Sequence, residues 1–313
     1  MSDITPITTA ATGIKPVPSF HLPIVLGAET IKRSLLNVRP RYMDKVELLK
    51  FQSTQDSFMA PVSTPTVTSG DYSITNRQIV LGDMQFYRTY NPLRDFEGQY
   101  DFLWSQGQLT SATLAPIVKK AILDTSATAI GANIERLIWE GDTASATVAL
   151  NRTDGFLKLL TADSDGDVNN VAFGAVLTPA NIITKMEAML AAMPSAVLET
   201  TNIKFVVSYK DSFKYYEALR DATITKGINI MDGGVPRLAG IQIVSCGIPE
   251  NNMILGVCDN TQDSNLQAAT WMDQDRGVLI DRLQANSEDF FIKATIKFGV
   301  NYVEGSQLVY GKV

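Results

Sequence analysis

The first 92 residues of this 313-residue chain offer too little patterned apolar surface to fold by themselves, and that limits what the whole can become. Residues 1–45 are rich in Thr, Pro and small polar side chains, with prolines at Pro6, Pro16, Pro18, Pro23 and Pro40. Such a segment cannot offset the entropy of ordering it, so it is expected to be extended and to order by lying on something else. Residues 46–92 carry β-branched and aromatic side chains between turn signals. Thr66-Val67-Thr68 and Tyr72-Ser73-Ile74-Thr75 flank Ser69-Gly70-Asp71, the pattern of a hairpin tip, and the run from Gln78 to Tyr90 contains Gly82-Asp83. With no evident inward face, these strands are predicted to be weakly held by their own domain and to lie across another subunit.

The remainder is better patterned. Leu114, Val118, Ala121, Ile122, Ile130, Ile134, Leu137 and Ile138 recur at helical spacing, predicting a helix over 113–139. Thr113 suits its N-cap, Pro116 its first turn and Gly141 its stop. After Gly155 the pattern is mixed α/β. Thr178-Pro179 reads as a cap before the stripe Ile182, Ile183, Met186, Met189, Leu190 and Met193, which ends at Pro194. A buried strand, 203–208, leads into a helix opened by Ser208 and Asp211, with Phe213, Tyr216 and Leu219 on one side. Residues 238–246 and 253–258 are predicted to be the two strands of a hairpin around the turn GIPENN. From Ile292 to Tyr302 apolar residues alternate with Lys293, Thr295, Lys297, Gly299 and Asn301, a half-buried strand of period two.

Charge is unevenly spread within a net −6. Residues 1–45 carry six bases against three acids, hence +3, and the rest carries 21 against 30, hence −9. An acidic body argues against a dedicated nucleic-acid binder, which presents a basic face. The mildly basic arm suits contact with phosphate, a scaffold or a neighbouring subunit. No run approaches the roughly 18 apolar residues that cross a bilayer, and the start MSDITPITTA has no signal-peptide pattern, so the chain is expected to act in the cytoplasm where it is made. Cys246 and Cys258 fall too far apart on the expected hairpin to bridge, and read as small buried hydrophobes.

Reactive constellations are not evident. The single histidine, His21, lies in the proline-rich arm, where nothing fixes an imidazole for catalysis, and one histidine with two separated cysteines makes no zinc site. The terminal Gly305 to Lys312 has the wrong spacing for a phosphate loop and no following helix. Asp163, Asp165, Asp167 and Asn169 alternate as calcium ligands do. Their glycine falls at the fourth position and Gly174 stands at the twelfth, so we read a solvated acidic turn. No cofactor is expected.

The order of these parts resembles that of HK97-fold major capsid proteins of tailed double-stranded DNA bacteriophages, over essentially the whole chain. The stretch IERLIWEGDTASATVALNRTDGFLKLL (134–160) places an aromatic and a Gly-Asp turn before a second Asp-Gly, as at the family's helix exit. RLAGIQIVSCGIPENNMILGVCDN (237–260) resembles its late hairpin, and EDFFIKATIKFGVNYVEGSQLVYG (288–311) its closing strand. The resemblance implies an α+β fold with an N-arm (1–45) and an E-loop (46–92). It implies a P-domain (93–154 and 271–313) built on a spine helix, 113–139, and the closing strand, 277–303. A mixed α/β A-domain (155–270) would carry a loop, 222–237, at the five- or six-fold axis.

The function so implied is a shell of hexamers and pentamers around double-stranded DNA, without sequence-specific binding, catalysis or a membrane. It would assemble in the host bacterial cytoplasm with a separate scaffolding protein, a portal and in some cases decoration proteins. Some members cross-link their shells through an E-loop lysine, but no lysine occurs between Lys50 and Lys119 here, so no covalent cross-links are expected. Arg77, Arg88 and Arg94 are the only bases in that interval and, with Arg39 and Arg41 of the arm, are candidate contacts to an acidic neighbour. Two alternatives stand beside this reading. One is an encapsulin-like compartment shell that packages cargo. The other is an α+β enzyme using carboxylates such as Asp163 or Glu288.

Overall fold

The computed structural model describes residues 28–42, 44–53, 72–91, 116–163, 166–200, 202–220, 231–232, 235–271, 279–284 and 289–313. In chain order they begin with α1 (Glu29–Lys32), β1 (Asn37–Pro40), β2 (Lys45–Ser53), β3 (Tyr72–Val80) and β4 (Gly82–Tyr90). Next come α2 (Pro116–Glu140), α3 (Phe156–Thr161), β5 (Asn169–Ala172), α4 (Ile182–Ala192), α5 (Ser195–Leu198), β6 (Ile203–Ser208) and α6 (Tyr209–Arg220). The last part holds β7 (Met231–Asp232), β8 (Val235–Leu238), β9 (Ile241–Cys246), β10 (Asn252–Val257) and β11 (Leu266–Trp271). It closes with β12 (Leu279–Arg282), β13 (Phe290–Tyr302) and β14 (Leu308–Lys312). Thr113, Leu114, His21, Arg94, Asp165, Glu288 and most of loop 222–237 lie outside the described residues.

The long helix α2 runs 25 residues, about 37 Å at 1.5 Å per residue. Ile130, Ile134, Leu137 and Ile138 are buried as their spacing predicts. At its exit the Gly155 amide donates to Gly141 O at 2.8 Å. A Cβ on Gly141 would meet Thr153 O at 2.5 Å, so only glycine lets α3 leave this close to α2.

Two sheets flank one core. In the first, β13 is the hub: β11 and β12 pair along one edge and β4 along the other, with β1 added in parallel to β11. Burial along β13 alternates through Ile292, Ala294, Ile296, Phe298, Val300 and Tyr302, as expected from its period of two. The second sheet runs β5-β14-β10-β6-β9-β8-β7. Alternate residues of its central strands serve opposite sides. Phe205, Val207, Met253, Leu255 and Val309 face α4 and α6, whereas Val206, Ile254, Leu308 and Tyr310 join the core shared with α2, α3 and β13. Burial on both faces is why the central strand reads as the unbroken run IKFVVS.

A third piece is the ribbon β2–β3, paired from Lys45↔Val80 to Ser53↔Tyr72. Val46, Leu48 and Ile79 bury its base against Leu81 and Ala269, while Leu49 and Val80 point to solvent. Gly299 makes this seat possible, because a Cβ there would meet Val80 O at 2.4 Å.

Several expectations are corrected. Residues 82–90, expected to be weakly held, pair along nine residues with β13, and Met84, Phe86 and Tyr90 form the inward face that inspection missed. Residues 28–40, assigned to an extended arm, pack into their own core: Ile31, Leu35 and Leu36 are buried and β1 extends the first sheet. The hairpin 238–246/253–258 does not form. β6, which needs partners on both edges, lies between β9 and β10. β9 instead pairs in a hairpin with β8, closed by Ala239 and Gly240, both at positive φ as a tight two-residue turn requires. The closing strand 277–303 is two antiparallel strands, β12 and β13. Residues 308–312, assigned with it to the P-domain, cross to the second sheet between β5 and β10. Helix α4 starts at Ile182, three residues beyond Pro179, because Asn181 Oδ1 closes a turn onto the Thr178 amide at 2.8 Å.

Candidate subunit-contact surfaces

The arginines singled out from sequence are scattered across the fold. Arg39 on β1 donates through Nε to Gln267 Oε1 at 3.0 Å on the neighbouring strand. Arg41 is exposed just beyond that strand, held at φ 76°. Arg88 is exposed on β4, 6.0 Å from the Phe86 ring.

Arg77 sits instead in a junction within the subunit. Its Nη2 lies 3.4 Å from Asp163 Oδ1 and 3.9 Å from Asp167 Oδ2, and its guanidinium stacks 4.2 Å from the Tyr302 ring centroid. Asp163 also accepts the Tyr302 hydroxyl at 2.8 Å and the Val168 amide at 2.7 Å. The solvated acidic turn expected here is thereby corrected, since the Asp163 side chain is only 5% exposed. Burial pushes its carboxyl upward, but the Val168 amide, the Tyr302 hydroxyl and Arg77 outweigh that and hold it below the usual aspartate value. The junction ties β3 of the ribbon to β13 and to the loop before β5.

A second junction fastens the N-terminal segment. Glu135 on α2 is 8% exposed, and its Oε1 accepts from Thr30 Oγ1 (2.6 Å), Gly247 N (2.9 Å) and Trp139 Nε1 (3.2 Å). Its Oε2 accepts the Thr30 amide at 2.9 Å. One carboxylate thus joins α1, α2 and the turn after β9, three parts remote in sequence. Sequence reasoning missed it, because nothing marks Glu135 as different from any other helical glutamate.

Helix α6 holds the third feature. Its N-terminus is built as expected: Ser208 Oγ accepts the Asp211 amide at 3.0 Å and donates to Asp211 Oδ2 at 2.7 Å. The side carrying Phe213, Tyr216 and Leu219 is split, with Leu219 packed against the core and the two aromatic residues outside it. Ser212, Tyr215 and Ala218 turn inward, leaving Phe213 63%, Tyr209 47% and Tyr216 37% exposed. Two apolar stripes compete on this helix, and only the sheet beneath it selects which is buried.

Among the described residues no group of three His, Cys, Asp or Glu is placed to hold a metal ion. A cavity of about 630 Å³ lies between α2, β4 and β13, lined by Met84, Phe86, Ile130, Ile134, Leu137 and Ile296 among others. Its charged members are Asp83, which pairs with Lys297 at 3.1 Å, and Arg152. Cys246 and Cys258 are free and buried, and burial pushes the Cys258 thiol up to about 12. No described helix is long and apolar enough to cross a membrane.

No family model matches the chain, and no curated protein matches it in sequence. Solved structures do match in fold. A chain of the satellite phage P4 procapsid, solved with its size determination (Sid) protein, superposes at TM-score 0.57 and 12% identity, covering 100% of this chain and 98% of that one. The cyanophage A-1(L) capsid gives 0.54 at 12% identity over 91% and 92%. The capsid of the Myoviridae phage XM1 gives 0.53 at 10% over 91% and 92%. No enzyme family is indicated. Two sheets around a long helix, with the ribbon β2–β3 beside them, thus form the fold these phage capsid chains share.

Proposed function

We propose that the chain is the major capsid protein of a tailed double-stranded DNA bacteriophage, self-assembling into hexamers and pentamers that close an icosahedral shell around the genome. The observation that carries this reading is a fold shared with a phage procapsid chain over 100% of this one, at only 12% identity. On this reading the ribbon β2–β3 with the residues between its strands is the E-loop, and α2 is the spine helix. The first sheet is the P-domain and the second the A-domain, into which the C-terminal strand returns. Residues 1–27 serve as the N-arm, and residues 28–40 anchor it to the body of the subunit. Arg39, Arg41, Arg88 and Arg94 are contacts to acidic groups of neighbouring copies, and Arg77 sets the ribbon's base.

The protein acts by packing, with no catalytic step. Its partners are further copies of itself, a separate scaffolding protein, a portal and decoration proteins. DNA is enclosed without sequence-specific contact. Assembly takes place in the host bacterial cytoplasm, and the mature protein resides in the virion. Negative-stain microscopy of the purified full chain, alone and with the scaffolding protein encoded beside it, tests the reading. Closed polyhedral particles that run as one 34.2 kDa band on a denaturing gel are expected. Protein that stays dispersed under both conditions would sink the reading. Particles filled with a co-purifying enzyme would instead mark a cargo compartment.

A further inference from the structure

Helix α6 carries more apolar surface than its own subunit uses. Its inward side is committed, with Tyr215 OH donating to Arg237 O at 2.8 Å. Tyr209, Phe213 and Tyr216 recur at i, i+4 and i+7, so they adjoin on a second side. At about 200 Å² per aromatic side chain, their exposed fractions leave roughly 300 Å² of aromatic surface in one stripe. A patch of this size is on the scale of the largest that a typical monomer exposes, and such patches are often functional.

The stripe is also held in place. Tyr209 OH donates to Glu29 Oε2 at 3.3 Å and accepts from Arg33 Nη2 at 3.3 Å, and the Arg33 guanidinium lies 5.3 Å from its ring centroid. A fixed platform binds at lower entropic cost than a mobile one.

We propose that Tyr209, Phe213 and Tyr216 form the core of the surface by which one copy of this chain seats against the next, an inference that rests on the shell reading above. A convex helix face offers no pocket for a small molecule. The body outside residues 1–45 carries 21 bases against 30 acids, which disfavours an anionic bilayer. A stable protein contact needs about 800 Å² per partner around an aromatic centre, and the stripe supplies over a third of that. In a ring of identical subunits, each copy needs one such patch facing a different surface of its neighbour.

The test compares the full chain with the Phe213→Glu/Tyr216→Glu double variant by sedimentation velocity over a concentration series. The variant is expected to self-associate at least about 30-fold more weakly, the scale of losing one interface anchor, with an unchanged thermal midpoint. A variant that associates like wild type overturns the inference and leaves the shell reading standing. Wild-type protein that never associates, even with the scaffolding protein added, sinks both. Should the double variant misfold, Phe213→Cys provides a second readout, because Cys246 and Cys258 are buried within the subunit. Maleimide labelling blocked in the assembled state and open in the dissociated state supports the inference. Equal labelling in both states, or blocking that appears only on adding a bacterial lysate, overturns it.

Discussion

Replacing Glu135 with alanine is expected to unfasten residues 28–36 from the body of the subunit. The substitution removes the acceptor of two backbone amides, Thr30 N and Gly247 N, each at 2.9 Å. A hydrogen bond to a charged group contributes about 1.5–3 kcal/mol, so the two together account for roughly 3–6 kcal/mol. Thr30 Oγ1 and Trp139 Nε1 lose less, because they remain bonded to each other at 2.9 Å. Removing a carboxylate that is 8% exposed also relieves its desolvation, which offsets part of the loss. A net destabilisation of about 2–4 kcal/mol remains. Hydrogen exchange read by mass spectrometry should therefore show protection in peptides spanning 28–36 falling about 30- to 1,000-fold. Glu135→Gln should do damage of its own, because its amide nitrogen would face the Thr30 donor across 2.9 Å. A Glu135→Ala protein with wild-type protection over 28–36, or one losing less than about 1 kcal/mol, would refute the reasoning.

Three further outcomes are expected. Deleting residues 1–27 should leave a folded but assembly-defective subunit, whereas deleting 1–40 also strips β1 from β11 and Leu35 and Leu36 from the core and should unfold it. Circular dichroism with microscopy distinguishes these, and normal shells from the shorter deletion would refute the arm's role. Asp163, whose carboxyl is held below its usual value, stabilises the fold above the unfolded aspartate value of about 3.9 and loses that contribution as pH falls through its lowered folded value. Urea midpoints measured from pH 6 to 2 should thus fall more steeply for wild type than for Asp163→Asn, and parallel curves would count against the junction. Gly299→Ala would place a Cβ 2.4 Å from Val80 O and should cost about 1–3 kcal/mol by prying the ribbon's base off β13. An unchanged melting temperature would contradict that packing.

Much of the architecture was legible in the sequence where one face of an element met water and the other met protein. The 25-residue helix announced itself by spacing and by Gly141, and β13 by strict alternation. Where an element is buried on both sides, or apolar on two, the pattern loses its direction. β6 is recognisable as a strand, yet nothing in IKFVVS says that it separates β9 from β10. Helix α6 is recognisable by its capping pair, yet nothing there says that Tyr215 rather than Phe213 takes the sheet side. The contact surfaces suffered most. Arg77 was chosen because it is one of few bases in a polar stretch, and it turned out to meet Asp163, 86 positions away.

What the sequence determined by itself was local: where helices and strands lie, that no zinc set or nucleophile–histidine–acid set could be assembled, and that the first residues lack material for a core. Tertiary structure alone decided how much of that N-terminal region is nonetheless anchored. A short polar stretch such as β1 or β4 gains its place from a longer strand beside it, and hydrogen bonding to a neighbour's backbone leaves no mark in side-chain order. It also decided the two junctions at Glu135 and Asp163, because each carboxylate accepts from segments lying 86 to 139 residues away along the chain. Such meetings depend on the angle at which sheets and helix pack, and that angle is a property of the assembled core rather than of any one stretch of chain.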